Sequence, residues 1–322
     1  MLTAYYHDSG RLVARALEGK TKPVWIDLFD PTKDEELAAE KLLGISIPTR
    51  EEMHEIEISS RLYTEDGTLY MTATLPEKVD SQHPIMMPVT FILAKERLVT
   101  VRYHEPGAFS TYPQRAKQTD MACDNAESVL VGILEAVVDR LADVLEKASL
   151  DIVAIGQDIF HPDEERTRPR GVGFQIILRK IGRKESLISN IQESLLTLQR
   201  VATYFDQAMR SRKTSASITS RIKTLSRDIR SLSDHASSLT QKIVFMLDAT
   251  LGMIGIAQND IIKIVSVAAV VFLPPTLIAS IYGMNFELMP ELKWLLGYPF
   301  ALTLMVISAI VPAWIFRRLG WI

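Results

Sequence analysis

The sequence predicts an α+β domain followed by one very long helix and two C-terminal helices long enough to cross a membrane. Three observations support this fold class. Residues 1 to about 110 alternate β-prone runs with short helical patterns, a heptad pattern of apolar residues begins near residue 217, and residues 264–281 and 299–316 are uncharged apolar runs. A soluble part joined to a small membrane part also accounts for the composition, in which 47% of 322 residues are hydrophobic but the mean hydropathy is only +0.10.

Charge and cysteine content exclude several classes of protein. The net charge of −3 and the pI near 6.1 argue against a nucleic-acid partner, because phosphate contacts need a clustered surplus of Lys and Arg. Cys123 is the only cysteine, which excludes intramolecular disulfides and Cys-rich zinc sites and fits a reducing cytosol. The N-terminal stretch "MLTAYYHDSGRLVARAL" lacks an uninterrupted apolar core behind a basic start, so we do not expect a signal peptide.

The first 110 residues predict a strand, a helix and two hairpins. The stretch "PVWIDLFD" is typical of a strand that ends at Asp30-Pro31, and "PTKDEELAAEKLLG" of a short helix that ends at Gly44. In "RLYTEDGTLYMTATL" the pair Asp66-Gly67 lies between β-prone runs and predicts a hairpin. The stretch "PVTFILAKERLVTVRY" repeats that pattern around residues 95–97.

Residues 125–160 and 174–208 carry periodic apolar residues and predict two long amphipathic helices joined by a turn at 161–171. This region shows no phosphate loop, dinucleotide fingerprint, nucleophile elbow or HExxH motif. His161 and the acidic residues 163–165 are weak metal candidates in what reads as a solvated loop, and Cys123 lacks an activating neighbour. We therefore do not expect an enzyme.

The residues from 217 onward predict a single long helix. No proline lies between Pro169 and Pro274, and the apolar stripe continues without a stop signal to residue 281, which would give a helix of roughly 100 Å. The stripe recurs at alternating steps of four and three at Ile218, Ile222, Leu225, Ile229, Leu232, Ala236, Leu239, Ile243, Met246, Thr250, Met253 and Ala257. It fits either a helix packed against its own domain or a stalk that associates with its copies, and we favour the stalk. Small residues at 236, 250 and 257 suggest an open axial passage.

The two apolar runs predict membrane spans that place both termini in the cytoplasm. Each run has eighteen residues without a charge, about 27 Å as a helix, which is close to the hydrocarbon thickness of about 30 Å. Lys263 precedes the first span and Arg317 and Arg318 end the second, whereas the loop between them carries only Lys293 as a basic residue. The positive-inside rule then puts the loop outside the cell.

Polar residues recur on one side of the first span. Asn259, Ser266, Leu273 and Ser280 repeat at intervals of seven, and Thr276 lies one turn before Ser280. A water-filled lumen would accept such a face better than lipid would, although Ser and Thr also bond back to helix carbonyls. The stripe is one residue out of register with the cytosolic heptads. Since two spans cannot enclose a hydrated path alone, a channel of this design requires an oligomer.

The C-terminal third resembles the CorA family of magnesium and cobalt transport proteins. The likeness is carried by "YGMN" at 282–285, "MPEL" at 289–292 and "GYP" at 297–299, in this order between two terminal spans and after a long helix containing "QNDIIKI". The stretch "FLPPTLIAS" is similar to the enterobacterial-type branch, and "WIDLFDP" resembles the family's N-terminal domain.

This resemblance implies homopentamers with a cytoplasmic α/β funnel domain, a pore-lining stalk helix and an outer ring of second spans, in the bacterial inner membrane. It implies inward transport of Mg²⁺, often with Co²⁺ or Ni²⁺, and therefore membrane lipid, divalent cations and other copies of the chain as partners. The family's outer-mouth triad falls on Gly283, Met284 and Asn285, and its pore-lining positions fall on Asn259, Leu273 and Thr276. With Ser280, these make up the predicted ion path.

Acidic residues are further candidates. Glu287 and Glu291 in the loop would raise the local cation concentration without tight binding. The family's regulatory acidic pairs do not map onto this chain. Asp228, Asp234 and Asp248 are candidate cytosolic cation contacts for regulatory Mg²⁺, and solvated helix faces explain them equally well.

The chemistry of the triad suits a hydrated Mg²⁺ ion, which gives up its waters reluctantly. Asn285 would offer an amide oxygen, and Gly283 would let the backbone turn.

Two alternatives to a Mg²⁺ transporter remain. One is a Zn²⁺ transporter of the same superfamily, against which Met284 weighs, and the other is a non-conducting membrane-anchored coiled-coil scaffold.

The predicted regions are a cytoplasmic α/β domain (1–120), a cytoplasmic helical region (121–216), a stalk (217–263), a first span (264–282), a periplasmic loop (283–298), a second span (299–316) and a cytoplasmic tail (317–322).

Overall fold

A computed structural model describes residues 1–8, 10–15, 22–79, 81, 84–118, 123–160, 170–212, 215–285 and 289–321. The chain divides into two compact units. The first comprises Met1–Arg166 and Ile177–Leu247, and the second comprises Thr167–Ile176 and Asp248–Ile322.

The first unit contains a seven-stranded mixed sheet. Its strands are β1 (Leu2–Asp8), β2 (Arg11–Arg15), β3 (Trp25–Phe29), β4 (Leu62–Glu65), β5 (Thr68–Glu77), β6 (Ile85–Ala94) and β7 (Arg97–Arg102). They lie in the order β2-β1-β3-β7-β6-β5-β4. Among the described strand pairs, only the central pair β3 and β7 is parallel. Both central strands are buried along almost their whole length, as expected for strands covered on two faces.

The helices of both units are α1 (Lys33–Leu43), α2 (Arg50–Met53), α3 (Ile58–Arg61), α4 (Gly107–Gln118), α5 (Ala126–Phe160), α6 (Arg170–Ser211), α7 (Ala216–Tyr282) and α8 (Gly297–Arg318), with a 3₁₀ turn at Pro290–Lys293. The predicted amphipathic helices are confirmed as α5 and α6, and the predicted long helix as α7. Of the predicted turn at 161–171, residues 161–169, including the weak metal candidates, lie outside the described residues, and Arg170 already belongs to α6.

The predicted N-terminal hairpins and the first helix are confirmed. Asp66 and Gly67 take φ values of 46° and 77°, the positive values that a type I′ turn needs between β4 and β5. Lys95, with φ 52°, opens the two-residue turn between β6 and β7. Gly44 ends α1 in the left-handed region, and its N–H donates to the Glu40 carbonyl at 2.7 Å.

Helices cover both faces of the sheet. On one face Ile26, Leu28 and Val99 pack with Ala39 of α1 and Met53 of α2 in a buried cluster. On the other face, Trp25 of β3 lies 6.3 Å from the Phe109 ring and 6.2 Å from the Tyr112 ring of α4, centroid to centroid. The first unit is therefore a layered α/β domain with an apolar core on each side of the sheet.

Helix α6 is fixed to the sheet by hydrogen bonds to the backbone of β5. The Ser194 hydroxyl donates to the Thr74 carbonyl at 2.6 Å, and the Thr74 N–H donates to Thr197 Oγ1 at 3.1 Å. Both helix side chains are buried. The bonds satisfy polar groups that would otherwise destabilise the interior.

The favoured interpretation of the heptad stripe is wrong for its first half. The stripe residues from 218 to 243 are buried within the single chain, apart from the partly exposed Leu232, so the chain's own fold covers them. Ala236 and Thr250 are also fully buried, so they do not line an axial passage. The physical reason is that an apolar stripe shows only that a helix face is covered, and copies of the chain and its own domain cover it equally well.

Gly132 provides a stability prediction for the contact between α4 and α5. A Cβ at this position would lie 2.5 Å from Tyr112 Cε2 and 2.7 Å from its hydroxyl, and the ring is confined between the helix and Trp25. We expect Gly132→Ala to reduce the free energy of unfolding by about 1–3 kcal/mol through overpacking. The measurement is the Tm of the full-length protein in detergent micelles.

Gly182→Ala on α6 is the matched control, because a Cβ there meets no atom within 4 Å. This control should keep or slightly raise the Tm, since alanine is the better helix former. Equal Tm values for the two variants would contradict the close contact between Gly132 and Tyr112.

Candidate functional site

The candidate site occupies the second unit, on the C-terminal part of α7. Asn259, Leu273, Thr276 and Ser280 are all exposed in the single chain, and Leu273 has 65% of its surface accessible. Residues seven apart on an α-helix are displaced by only about 20° around its axis. Helix α7 therefore brings these four side chains to one side, over a rise of about 32 Å from residue 259 to residue 280.

Two glycines extend this side of α7 and were not predicted. Gly252 and Gly255 precede Asn259 by seven and four residues, and a Cβ at either would meet nothing within 4 Å. Glycine in an exposed helix interior costs about 0.5–1 kcal/mol relative to alanine. Their spacing from Asn259 could have revealed them in the sequence. They were missed because the cytosolic heptad stripe was followed through this region, and that stripe is one residue out of register with the polar side.

Pro274 and Pro275 lie inside α7, which continues through both. Because proline has no N–H, the carbonyls four residues earlier lose their main-chain donors. The Thr276 hydroxyl donates to the Phe272 carbonyl at 2.7 Å. This back-bond uses the hydroxyl proton and leaves the oxygen lone pairs as acceptors, so Thr276 can accept a hydrogen bond from water.

The triad follows directly on the end of α7. The Gly283 N–H donates to the Ala279 carbonyl at 2.9 Å and the Met284 N–H to the Ile281 carbonyl at 3.2 Å, which closes the last turn. Gly283 lies in the turn that follows α7 and is not among the described residues with positive φ, so this turn does not use the left-handed backbone region. The glycine is explained by a close approach, since a Cβ there would lie 3.1 Å from the Ala279 carbonyl oxygen.

Beyond the triad the loop is described in part. Met284 and Asn285 are exposed. Glu287 lies outside the described residues. Glu291 belongs to the 3₁₀ turn Pro290–Lys293 that leads to α8. The Trp294 ring meets the Phe300 ring edge-on at 6.4 Å, so an aromatic pair marks the start of the second apolar helix.

Both apolar helices are exposed over the stretches that are long enough to span a membrane. In the most apolar 18-residue window of α7, and in that of α8, only 6% of the residues are buried. A core helix of a soluble protein would be mostly buried, so this observation favours two membrane spans. At the C-terminal end of α8 the Arg318 guanidinium lies 4.3 Å from the centre of the Trp314 ring, a pairing suited to a membrane interface.

The cytosolic acidic candidates do not come together within one chain. Asp228, Asp234 and Asp248 are exposed on α7. Across the described part of the chain, no group of three or more His, Cys, Asp or Glu side chains could hold a metal ion.

Comparisons with known proteins agree with this architecture. Residues 20–318 match the family described as "CorA-like Mg2+ transporter protein". The magnesium transport protein CorA of Escherichia coli strain K12 is 35% identical over 326 residues, with 100% of both chains covered.

Two solved structures share the fold. The complete CorA magnesium transporter of Methanocaldococcus jannaschii matches with a TM-score of 0.79 at 19% identity, covering 100% of this chain and 99% of that one. The ZntB cytoplasmic domain of Vibrio parahaemolyticus matches with a TM-score of 0.55 at 12% identity, covering 78% of this chain and 96% of that one. The family match and the full-length identity together show that this chain belongs to the CorA family of Mg²⁺ transporters.

Proposed function

We propose that the chain forms a homopentameric channel-type transporter in the bacterial inner membrane that admits Mg²⁺, and also Co²⁺ and Ni²⁺, to the cytoplasm. The observation that carries this proposal is the polar side of α7, which runs from Asn259 to Ser280 through an exposed apolar helix and ends at the Asn285 mouth. Several copies of α7 around one axis would place these polar groups on water and the apolar surface on lipid or α8.

The mouth recognises the ion together with its waters. Removing the octahedral water shell of Mg²⁺ costs a large free energy. A ring of hydrogen-bond acceptors, which binds the ion through its waters, therefore suits Mg²⁺ better than a site in which carboxylates bind it directly. Each subunit contributes one Asn285 amide oxygen. Five such dipoles attract the hydrated ion but bind it weakly enough for release. Glu287 and Glu291 raise the cation concentration near this collar.

Below the mouth, polar and apolar positions alternate along the path. Ser280 and Thr276 present hydroxyl oxygens, Leu273 presents an apolar side chain, and Asn259 presents a second amide. The acceptor lone pairs of Thr276 suit the water protons that point away from a hydrated cation. Leu273 narrows the path with a side chain that makes no hydrogen bond, so it slows ions without trapping them.

The membrane potential is sufficient to drive uptake. A divalent ion gains about 4.6 kcal/mol per 100 mV on moving inward, twice the value for a single charge. At about 1.4 kcal/mol per tenfold ratio this supports an accumulation of more than a thousandfold. The sequence carries no nucleotide-binding motif, and passive conduction needs none.

In this arrangement both termini are cytoplasmic, the regions 1–120 and 121–216 form the cytoplasmic domain, and 283–298 forms the outer loop. Asp228, Asp234 and Asp248 are the positions at which cytosolic Mg²⁺ would bind between copies and regulate conduction. A Zn²⁺ transporter of the same superfamily is the second candidate. Met284 in the triad favours Mg²⁺.

The proposal is tested by flux into liposomes. Purified protein reconstituted around a Mg²⁺-sensitive dye should admit Mg²⁺ when a K⁺ gradient with valinomycin makes the interior negative, and influx should fall when the potential is collapsed. Empty liposomes give the background, and parallel runs with Co²⁺, Ni²⁺ and Zn²⁺ rank the ions. Protein that is correctly inserted and pentameric but passes no Mg²⁺ would contradict the proposal, and flux of Zn²⁺ alone would favour the second candidate.

A further inference from the structure

The backbone itself caps the C-terminal end of α8. Gly320 has φ 69°, and the Trp321 N–H donates to the Phe316 carbonyl at 3.0 Å. The Phe316 and Trp321 rings stack with their centroids 5.4 Å apart, which is the apolar contact that often accompanies a glycine cap of this kind. The chain therefore folds back onto the last turn of α8 instead of continuing away from it.

This cap leaves the two arginines of the last turn available. Arginine near a helix C-terminus often bonds the last carbonyls. Here the Phe316 carbonyl accepts the Trp321 N–H, and the Arg317 carbonyl accepts the Gly320 N–H at 3.3 Å, so neither needs a side-chain donor. Residues 299–322 contain no Asp or Glu. Among the described residues, neither guanidinium group of Arg317 and Arg318 has a carboxylate partner.

An aromatic ring orders one of these guanidinium groups. The Arg318 guanidinium carbon lies 4.3 Å from the centre of the Trp314 ring. Trp314 precedes Arg317 by three residues and Arg318 by four, so helix periodicity brings both arginines to the same side of the last turn. Stacking on a ring face leaves the N–H groups at the edge of the guanidinium free to donate. A group that is already ordered also loses less entropy when a ligand binds.

The surface next to the two arginines is apolar. In the most apolar 18-residue window of α8 only 6% of the residues are buried. At its C-terminal end, Trp314 is 54% exposed, Leu319 62% and Trp321 44%. A ligand at this end of α8 therefore meets two positive charges beside a wide apolar surface. An anion that carries hydrocarbon chains covers both, whereas a small soluble anion leaves the apolar surface in water.

We propose that Arg317 and Arg318 bind the phosphate of an anionic phospholipid at the cytoplasmic surface of the membrane. Phosphate oxygens accept charge-assisted, bidentate hydrogen bonds from guanidinium groups. Tryptophan rings favour the level of the lipid head groups, where Trp314 and Trp321 then lie. A zwitterionic lipid carries an ammonium group that offsets its phosphate charge, so the anionic lipid is preferred. The inference rests on the proposed membrane placement of α8, but not on conduction or on the ion that is carried.

The test is native mass spectrometry of the full-length protein in detergent, after incubation with an equimolar mixture of phosphatidylglycerol and phosphatidylcholine with identical acyl chains. The unchanged protein should retain phosphatidylglycerol over phosphatidylcholine by at least about tenfold. Arg317→Gln and Arg318→Gln should each reduce this preference by about fivefold, the contribution of one basic residue near anionic lipid.

Lys263→Gln is the matched control. It removes the same charge from the start of the apolar part of α7, where Lys263 Nζ already lies 3.7 Å from Asp260 Oδ1. Because this charge has a carboxylate partner, the variant should keep the lipid preference within about twofold of the unchanged protein. Equal retention of the two lipids by the unchanged protein, or a loss in Lys263→Gln as large as that in the arginine variants, would overturn the proposal.

Two further arms separate a phospholipid site from general charge attraction and from a site for soluble phosphate. Arg318→Lys keeps the charge but loses the bidentate geometry, and it should reduce the preference by at least about twofold. Glycerol 3-phosphate in large excess should not displace phosphatidylglycerol, because it lacks acyl chains. Full preference in Arg318→Lys, or displacement by glycerol 3-phosphate, would count against the assigned lipid.

The lipid test and the flux test fail independently. Protein that conducts Mg²⁺ but shows no preference for phosphatidylglycerol would overturn only the lipid site. Protein that keeps the preference, with its dependence on Arg317 and Arg318, but passes no Mg²⁺ would overturn only the proposed function.

Discussion

Asn285→Ala is expected to reduce Mg²⁺ influx into liposomes by at least about a hundredfold. Each subunit would lose one amide acceptor at the mouth, and a net contribution of about 0.5–1.5 kcal/mol per hydrogen bond is multiplied by the number of copies. Summed over the proposed pentamer this gives about 2.5–7.5 kcal/mol, and all but the lowest part of that range exceeds the roughly 2.7 kcal/mol that a hundredfold loss requires. The methyl group that remains cannot orient the waters of the ion. Initial influx rates under a fixed inside-negative potential measure the effect.

Two controls separate this effect from misfolding. Lys293→Gln alters a described, exposed loop residue outside the triad and should keep influx within about twofold of the unchanged protein. The size of each variant in mild detergent reports whether assembly is preserved. Correctly assembled Asn285→Ala with normal influx would show that the mouth lies elsewhere, and the role of the triad would have to be withdrawn.

Local patterns in the sequence predicted most of the elements because their causes are local. Asp66-Gly67 specifies a turn through the backbone preferences of two residues, and Gly44 ends a helix for the same reason. The capping box at Thr32 and Glu35 is also a local pattern, but the sequence analysis overlooked it. The Glu35 N–H donates to Thr32 Oγ1 at 3.3 Å, and the Thr32 N–H donates to Glu35 Oε2 at 3.0 Å. Apolar runs of membrane length are likewise visible within one segment of chain.

Contacts between distant segments were not predictable in the same way. The heptad stripe of α7 indicated a covered face, but its cover proved to be the chain's own fold around Ile222 and Leu239. For the proposed ion path, the spacing of Asn259, Leu273 and Ser280 placed them on one side of a helix, but the close approach at Gly283 required coordinates. A sequence pattern shows which face of a helix is apolar or polar, whereas the segment that covers that face depends on tertiary structure.

The buried ion pair of the sheet is the clearest contact that no sequence pattern revealed, since it joins residues 75 positions apart. Arg102 Nη2 lies 2.8 Å from Asp27 Oδ2, and Arg102 Nη1 donates to the His104 carbonyl at 2.9 Å. The Thr100 hydroxyl donates to Asp27 Oδ1 at 2.7 Å and accepts from the Trp25 indole N–H at 2.9 Å. The two charged side chains are only 6% and 7% exposed.

The surroundings make this pair costly to break. The Arg102 guanidinium carbon lies 4.3 Å from the centre of the Phe29 ring and 4.8 Å from that of Phe109, so water has little access to it. Asp27 and Thr100 are directly paired in the parallel register of β3 and β7, at the centre of the sheet. A charge left alone there keeps its desolvation cost without its partner.

We therefore expect Asp27→Ala to lower the free energy of unfolding by about 3–5 kcal/mol, because it strands the Arg102 charge in the core. Urea unfolding of the full-length protein in detergent, followed by circular dichroism, measures the loss. The double variant Asp27→Ala with Arg102→Met should recover part of it, since neither charge then remains buried. Asp8→Ala removes a carboxylate from the half-exposed pair with Arg15 and should cost at most about 1 kcal/mol. If Asp27→Ala lowers the free energy of unfolding no more than Asp8→Ala does, the Asp27–Arg102 pair does not stabilise the sheet. The stability of this part of the sheet must then come from the packing of Phe29 and Phe109 around Arg102.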